Sequence, residues 1–243
     1  MTTPSELLRG ALAQDPARPF LTFYDDAAGE RIELSVATFD NWVAKTGGLL
    51  RDGLSVAPGD RVSLLLPAHW QGLVWACAGW AVGACIATTT DASADVAVAG
   101  PDTLFGVADA PDVVALSLRP LGGRFTETLP PGVLDYALEV PGYPDDLGPY
   151  SPPPADGPAL HRGSAVLSFA DVVEQARARA DELELDTGAR VLVSTDDLAT
   201  AVRDALLVPL VVGGSTVLVR HEDPALRSSR VESERVTATI PSG

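Results

Sequence analysis

One lysine, Lys45, stands against sixteen arginines in this chain of 243 residues, and that narrows the anion chemistry open to it. A lysine ammonium is a compact point charge that can reach a single reacting oxygen, whereas a guanidinium binds anions as a flat, permanently protonated fork. The three histidines, His69, His161 and His221, are far apart, and no serine sits in a Gly-x-Ser-x-Gly elbow. A hydrolytic triad therefore has no support in the sequence, and each histidine is expected to be structural. Asp145-Asp146 and Asp196-Asp197 carry the donor type of a cation site, but paired carboxylates of this kind are commoner in turns and helix caps. No residue is assigned as a metal ligand. Cys77 and Cys85 are the only cysteines, in an apolar stretch without histidines at ligand spacing, and are expected as buried free thiols. In the string His161-Arg162-Gly163-Ser164, a plain loop is expected, though His161 with Arg162 could touch an anion beside Gly163.

The rest of the composition bounds the partners. A net charge of −16 repels polyphosphate backbones, so DNA, RNA and anionic membrane are excluded as expected partners. Mean hydropathy of +0.16 and a hydrophobic content of 46% imply a folded, core-forming chain. Met1 is followed by Thr2-Thr3-Pro4-Ser5-Glu6, without the basic start and apolar run of a secretion signal, and a cytoplasmic location is expected. The apolar stretch Gly72 to Thr90 divides into a helix and a strand, leaving a helix shorter than the roughly 20 residues a bilayer needs.

These residues must be positioned by alternating helices and strands. A helix over Ser5 to Ala13 precedes a hairpin of Phe20 to Tyr24 and Arg31 to Leu34. Ser35 caps a helix with apolar positions Val36, Phe39, Val43, Gly47 and Leu50. Pro58-Gly59-Asp60 turns into a strand over Arg61 to Leu66, followed by a helix from His69 to Val82 and a strand from Ala84 to Thr90. Trp70, Trp75 and Trp80, spaced by five, scatter around that helix and are expected in the core. Val96 to Ala99, Val113 to Ser117 and Leu134 to Val140 are expected as short strands. Residues 141–158 are proline-rich and are expected as a semi-rigid linker. Beyond it the pattern returns: a helix from Ser168 repeats the apolar spacing in Phe169, Val172, Ala176, Ala180 and Leu183. Gly188-Ala189-Arg190-Val191 echoes Gly59-Asp60-Arg61-Val62 at a new strand. A helix over Leu198 to Leu207, a Gly213-Gly214 turn, a strand over Ser215 to Arg220, a helix over Pro224 to Glu234 and a strand over Val236 to Ile240 complete the order.

This order, and the stretch LSVATFDNWVAKTGGLLRDGLSVAPGDRVSLLLPAHWQGLVWACAGWAVGACIATTT, resemble the large N-terminal domain of the adenylate-forming superfamily, which includes acyl-CoA and aryl-CoA synthetases, luciferase and peptide-synthetase adenylation domains. The matching features are the helix start Leu34-Ser35, the turn Gly59 to Val62, Pro67 and Gly83-Ala84. A second match runs from Leu167 to Val219, with Pro209-Leu210 and Gly213-Gly214, and continues to Val236-Thr237. The resemblance implies a layered α/β/α fold with mixed, largely parallel sheets in two lobes, about 1–67 with 159–243 and about 68–140. It also implies ATP, AMP or CoA as ligand chemistry.

The family's phosphate loop, Thr-Ser-Gly-Thr-Thr-Gly-x-Pro-Lys-Gly, belongs between the two matches. Here Pro158-Ala159-Leu160 passes through His161-Arg162-Gly163-Ser164 directly to Ala165-Val166-Leu167, and Lys45 is far away in sequence. The residues also stop before the family's adenine-, magnesium- and ribose-binding segments and its C-terminal domain. No catalytic residue is therefore carried over, no cofactor is expected, and His161 to Ser164 mark only the remnant of a phosphate-loop position. The expectation is a non-catalytic, pseudoenzyme-like relative; if it were an enzyme, it would be an acid-activating ligase. The alternatives are a nucleotide- or acyl-CoA-binding module, or a homo-oligomer or regulatory protein partner of a complete adenylating enzyme.

Overall fold

Strand, helix and strand alternate from Arg61 to Ala87, and a parallel return of this kind places both strands in one sheet. The computed structural model describes residues 2–91, 93–107, 110–148 and 151–241. Helix α1 (Pro4–Gln14) starts at a capping box in which Thr3 and Glu6 exchange side-chain and backbone bonds. Strands β1 (Pro19–Asp25) and β2 (Glu30–Ser35) form the expected hairpin, and Ser35 caps α2 (Val36–Gly48), which runs on through a wide π turn, Leu49–Gly53. Strand β3 (Arg61–Leu65), α3 (Trp70–Ala81) and β4 (Cys85–Ala87) make the β-α-β unit. Next come β5 (Val96–Ala99), β6 (Asp112–Ala115), β7 (Val133–Asp135) and α4 (Tyr136–Glu139). A hairpin of β8 (Pro158–Arg162) and β9 (Ala165–Ser168) leads into α5 (Phe169–Glu182) and β10 (Arg190–Ser194). One helical stretch then joins α6 (Leu198–Thr200), a π segment (Ala201–Leu207) and α7 (Val208–Val211). Strand β11 (Ser215–Arg220), α8 (Arg227–Ser233) and β12 (Ala238–Ile240) follow.

The strands form two sheets, β12-β10-β11-β1-β2 and β7-β6-β5-β3-β4-β8-β9. Both are parallel except for a hairpin at one edge, β1 with β2 and β8 with β9. The fold is thus α/β with two mixed, largely parallel sheets. Helix α2 packs on β1 and β2 and on α3, and α3 packs on β3 and β4, so a helical layer lies between the sheets. Trp70, Trp75 and Trp80 are all buried in that layer, as their scatter around the helix requires.

Three local expectations are corrected. The strand expected over Leu134 to Val140 stops at Asp135, whose carboxylate accepts from the Ala137 amide and starts α4. The strand expected from Ala84 to Thr90 is only Cys85–Ala87, because its pairing with β3 ends at Ser63. The plain loop expected at His161 to Ser164 is a tight β-hairpin turn instead, described below.

β3 lies at the centre of the seven-stranded sheet, since a strand feeding a parallel crossover must share its sheet, and β8 adds to β4 in parallel. The proline-rich stretch 141–158, of which residues 149 and 150 lie outside the described residues, begins as a strap on α2 and ends against the start of α5, where Ala155 and Gly157 accept from the Ala170 and Phe169 amides. Lys45 Nζ donates to the Tyr143 carbonyl at 2.8 Å and pairs with Asp145 at 3.0 Å, and Arg51 Nη1 donates to the Leu147 carbonyl at 2.7 Å.

Candidate functional site

The β8–β9 hairpin closes with Arg162 opposite Ala165, leaving a two-residue turn of Gly163 and Ser164. Gly163 has φ +62°, the left-handed conformation that glycine supplies in the tight turns of β-hairpins. Beside this hairpin lies a cavity of about 240 Å³, lined by Leu160, His161, Arg162 and Gly163 together with residues of α5, the α6–π stretch and the segment after β4. Ser164 is in the turn, exposed, and is not among the lining residues. Leu167, Val172, Ala176 and Leu207 give an apolar wall, and Thr89, Gln175, Thr200 and Arg203 give the polar groups. An apolar body with a few polar positions is the usual make-up of a small-molecule pocket.

The two arginines at the cavity are not equivalent. Arg203 forks onto Asp204, Nε to Oδ1 at 2.8 Å and Nη2 to Oδ2 at 2.7 Å, and Asp204 is fully buried. Those bonds hold the Arg203 guanidinium above its ordinary range, and Arg179 lies 3.5 Å from the same carboxylate. Arg203 is thus largely committed to a structural pair. Arg162 is exposed and has no ion pair among the described residues. His161 Nδ1 lies 3.7 Å from Asp91, which Arg61 also approaches at 3.4 Å. The Ser93 hydroxyl and amide hold the Asp91 carboxyl below the usual carboxylate range.

The remaining candidates have structural places. Cys77 and Cys85 are buried free thiols. Asp197 caps α6 by accepting from the Thr200 amide at 2.8 Å, and Asp196 accepts from the His221 amide at 2.9 Å. His221 Nδ1 sits 2.9 Å from Asp25. Sequence reasoning missed Thr89, Gln175 and Arg203; the only signal was the charged pair Arg203-Asp204 inside an otherwise apolar helix.

His69 caps α3, with Nδ1 accepting from the Gln71 amide at 3.2 Å and its ring against Phe23, centroids 4.7 Å apart. Burial, with Arg220 nearby, pushes its imidazole down to about 3. The folded state therefore binds fewer protons than the unfolded one between that value and the ordinary 6.5. Stability is present above the ordinary value and falls as pH drops toward the folded value. At pH ~4.5 this loss is about 3 kcal/mol. His69→Asn, which keeps a capping acceptor, is expected to flatten the difference between urea unfolding at pH ~7 and ~4.5 by that amount. An unchanged difference would contradict a neutral, desolvated His69.

No protein-family model matches the chain. A protein of Mycobacterium tuberculosis (strain ATCC 25618 / H37Rv) named "TIGR03089 family protein" is 41% identical over 256 residues, covering 99% of this chain and 100% of the relative. The chain belongs to the TIGR03089 family. Among solved structures, this family member is similar to the N-terminal domain of FACL13 from Mycobacterium tuberculosis, with TM-score 0.77 and 15% identity, over 98% of the chain and 62% of that structure's chain. It is also similar to the acyl-CoA synthetase of Brucella canis, with TM-score 0.75 and 18% identity, over 98% of the chain and 47% of the other. The anthranilate CoA ligase AuaEII, solved in complex with anthranoyl-AMP, gives TM-score 0.77 at 15% identity, over 98% and 49%. The TIGR03089 chain thus spans less than two thirds of each, and it has the fold of the N-terminal domain of acyl-CoA synthetases.

Proposed function

We propose that this TIGR03089 family member is a non-catalytic relative of the acyl-CoA synthetases. The observation that carries this reading is the hairpin at His161 to Val166. A phosphate loop works by turning several consecutive backbone N–H groups toward one anion. In a paired strand the N–H groups alternate between the two edges, and those of one edge are committed to the neighbouring strand. A two-residue turn on such a ladder does not fit a triphosphate, and Lys45, the one lysine, is held on α2 by Tyr143 and Asp145. Developing charge on a transferring phosphoryl or acyl group would lack preorganised donors, a loss of roughly 3 kcal/mol or more for each. The full chain with magnesium and ATP is expected to show no pyrophosphate exchange with a panel of fatty, aryl and amino acids. A clear exchange signal with any of them overturns the reading.

The cavity beside the hairpin favours a second reading, a binding module for a nucleotide or acyl group. Its apolar wall suits a flat or aliphatic body, and Arg162 offers an uncommitted cation at the mouth. Calorimetry with AMP, ATP, CoA and an acyl-CoA is expected to show binding by at least one, weakened about fivefold or more by Arg162→Ala. The absence of heat from all four ligands removes this reading.

A further inference from the structure

The first part of the strap, residues 143–147, lies along α2 in a groove made by missing side chains. A Cβ at Gly47 would lie 2.9 Å from Leu147 Cδ1, one at Gly48 would lie 3.1 Å from Tyr143 Cδ1, and one at Gly53 would overlap the Tyr143 hydroxyl. Glycine weakens a helix relative to alanine, and here three of them admit the two side chains of the strap.

The fastenings of this segment are few and near the surface. Among the described residues it shares no backbone–backbone hydrogen bond with α2. It is held by Lys45, whose Nζ reaches both the Tyr143 carbonyl and the Asp145 carboxylate, by Arg51 on the Leu147 carbonyl, and by Tyr143 and Leu147, its two half-buried side chains. Pro144, Asp145 and Asp146 are exposed. A segment that buries so little apolar surface opens at lower free energy than the sheets of the core. Its ends suit a hinge. Gly142 and Gly148 bracket it with nothing within 4 Å of a built Cβ, and Gly148 already has φ +77°. Outside them the chain is anchored, by buried Val140 on one side and by the bonds of Ala155 and Gly157 to α5 on the other.

Behind the segment is a second cavity, of about 360 Å³, which shares no lining residue with the hairpin cavity. Asp145, Asp146 and Leu147 form one wall of it, and Leu8 of α1, Val43 of α2 and Cys77 of α3 line the rest. Cys77 is 3% exposed, and burial, with Asp40 nearby, pushes its thiol above the ordinary range. A thiol reagent therefore reacts there slowly while the wall stands.

We propose that residues 143–147 are a hinged gate, latched by Lys45, which swings off α2 while both sheets stay folded and so opens the second cavity to small solutes. Lys45 is the latch because one ammonium serves two partners on the segment; without it the Tyr143 carbonyl loses its donor and Asp145 its counter-charge, and Arg51 alone remains. The device does not rest on any reading of the hairpin cavity.

The test is alkylation of Cys77 by N-ethylmaleimide in the full chain, with peptide mass spectrometry separating Cys77 from Cys85, followed at low urea concentrations beside global unfolding. Labelling is expected to be about tenfold or more faster than global unfolding alone allows, and to change little with urea below the transition, because a local opening exposes little surface. Lys45→Met, which keeps the hydrocarbon stem but can neither donate nor pair, is expected to speed labelling about tenfold. Gly213→Ala, which lowers global stability away from the strap, is expected to leave low-urea labelling unchanged. Labelling that tracks global unfolding at every urea concentration, an unchanged rate in Lys45→Met, or an equal acceleration in Gly213→Ala overturns the proposal.

Discussion

Gly214→Ala is expected to destabilise the protein by about 3 kcal/mol or more, a large share of a domain's total stability. A Cβ at Gly214 would lie 2.0 Å from the Ala189 carbonyl oxygen and 3.1 Å from its carbon, and both are backbone atoms. Neither side can withdraw cheaply. The Ser215 amide donates to that same Ala189 oxygen at 3.0 Å, the Gly214 amide donates to Pro209 at 2.8 Å, and Arg18 Nη1 donates to the Gly214 carbonyl at 2.6 Å. The contact sits where β10 and β11 begin to pair, so relief means opening the middle of the five-stranded sheet. Its neighbour Gly213 is the control. It has φ +66° with nothing within 4 Å of a built Cβ, so Gly213→Ala costs only the left-handed penalty, about 1 kcal/mol. Urea unfolding of the two variants checks the order. A Gly214→Ala loss no larger than that of Gly213→Ala would show that the β10–β11 junction relaxes more than these bonds allow.

Trp80→Ala is expected to cost about 3 to 5 kcal/mol. The side chain is fully buried, and its Nε1 donates to the Ala159 carbonyl at 2.9 Å. That bond runs from α3 to β8, the strand that carries His161 and Arg162 to the cavity. Trp80→Phe separates the two contributions. It keeps most of the apolar volume but leaves the buried Ala159 oxygen without its indole donor, for about 1 to 3 kcal/mol. Because the lost bond anchors β8, amide exchange in Leu160 to Arg162 is expected to speed up more than that in β1 or β11. Exchange that rises evenly across both sheets would mean that Trp80 acts only as bulk, and that the hairpin is held by β4 alone.

Much of the frame was legible in the residues because its causes are local. Ser35 and Ser168 start helices by accepting from the Thr38 and Asp171 amides, bonds that span three residues. Gly59 and Gly83 adopt positive φ at the turns where punctuation placed them. The apolar spacing of Val36, Phe39 and Val43, and of Phe169, Val172 and Ala176, marks faces that are buried. The short link from Leu160 to Leu167 could be read in the sequence; only the structure gave it the form of a hairpin.

What the sequence determined alone was the order and kind of most elements, the buried tryptophans and thiols, and the resemblance that names the fold. The tertiary structure decided which strands share a sheet, as when β8 joins β4 across the long strap. It gathered Thr89, Arg162, Gln175 and Arg203 around one cavity. It also distinguished Gly213, needed for its own backbone angle, from Gly214, needed because another strand's carbonyl fills the space of a side chain. The reason is one of range: caps, turns and periodicity act over a few residues, whereas strand pairing and close approach depend on where distant parts of the chain come to rest.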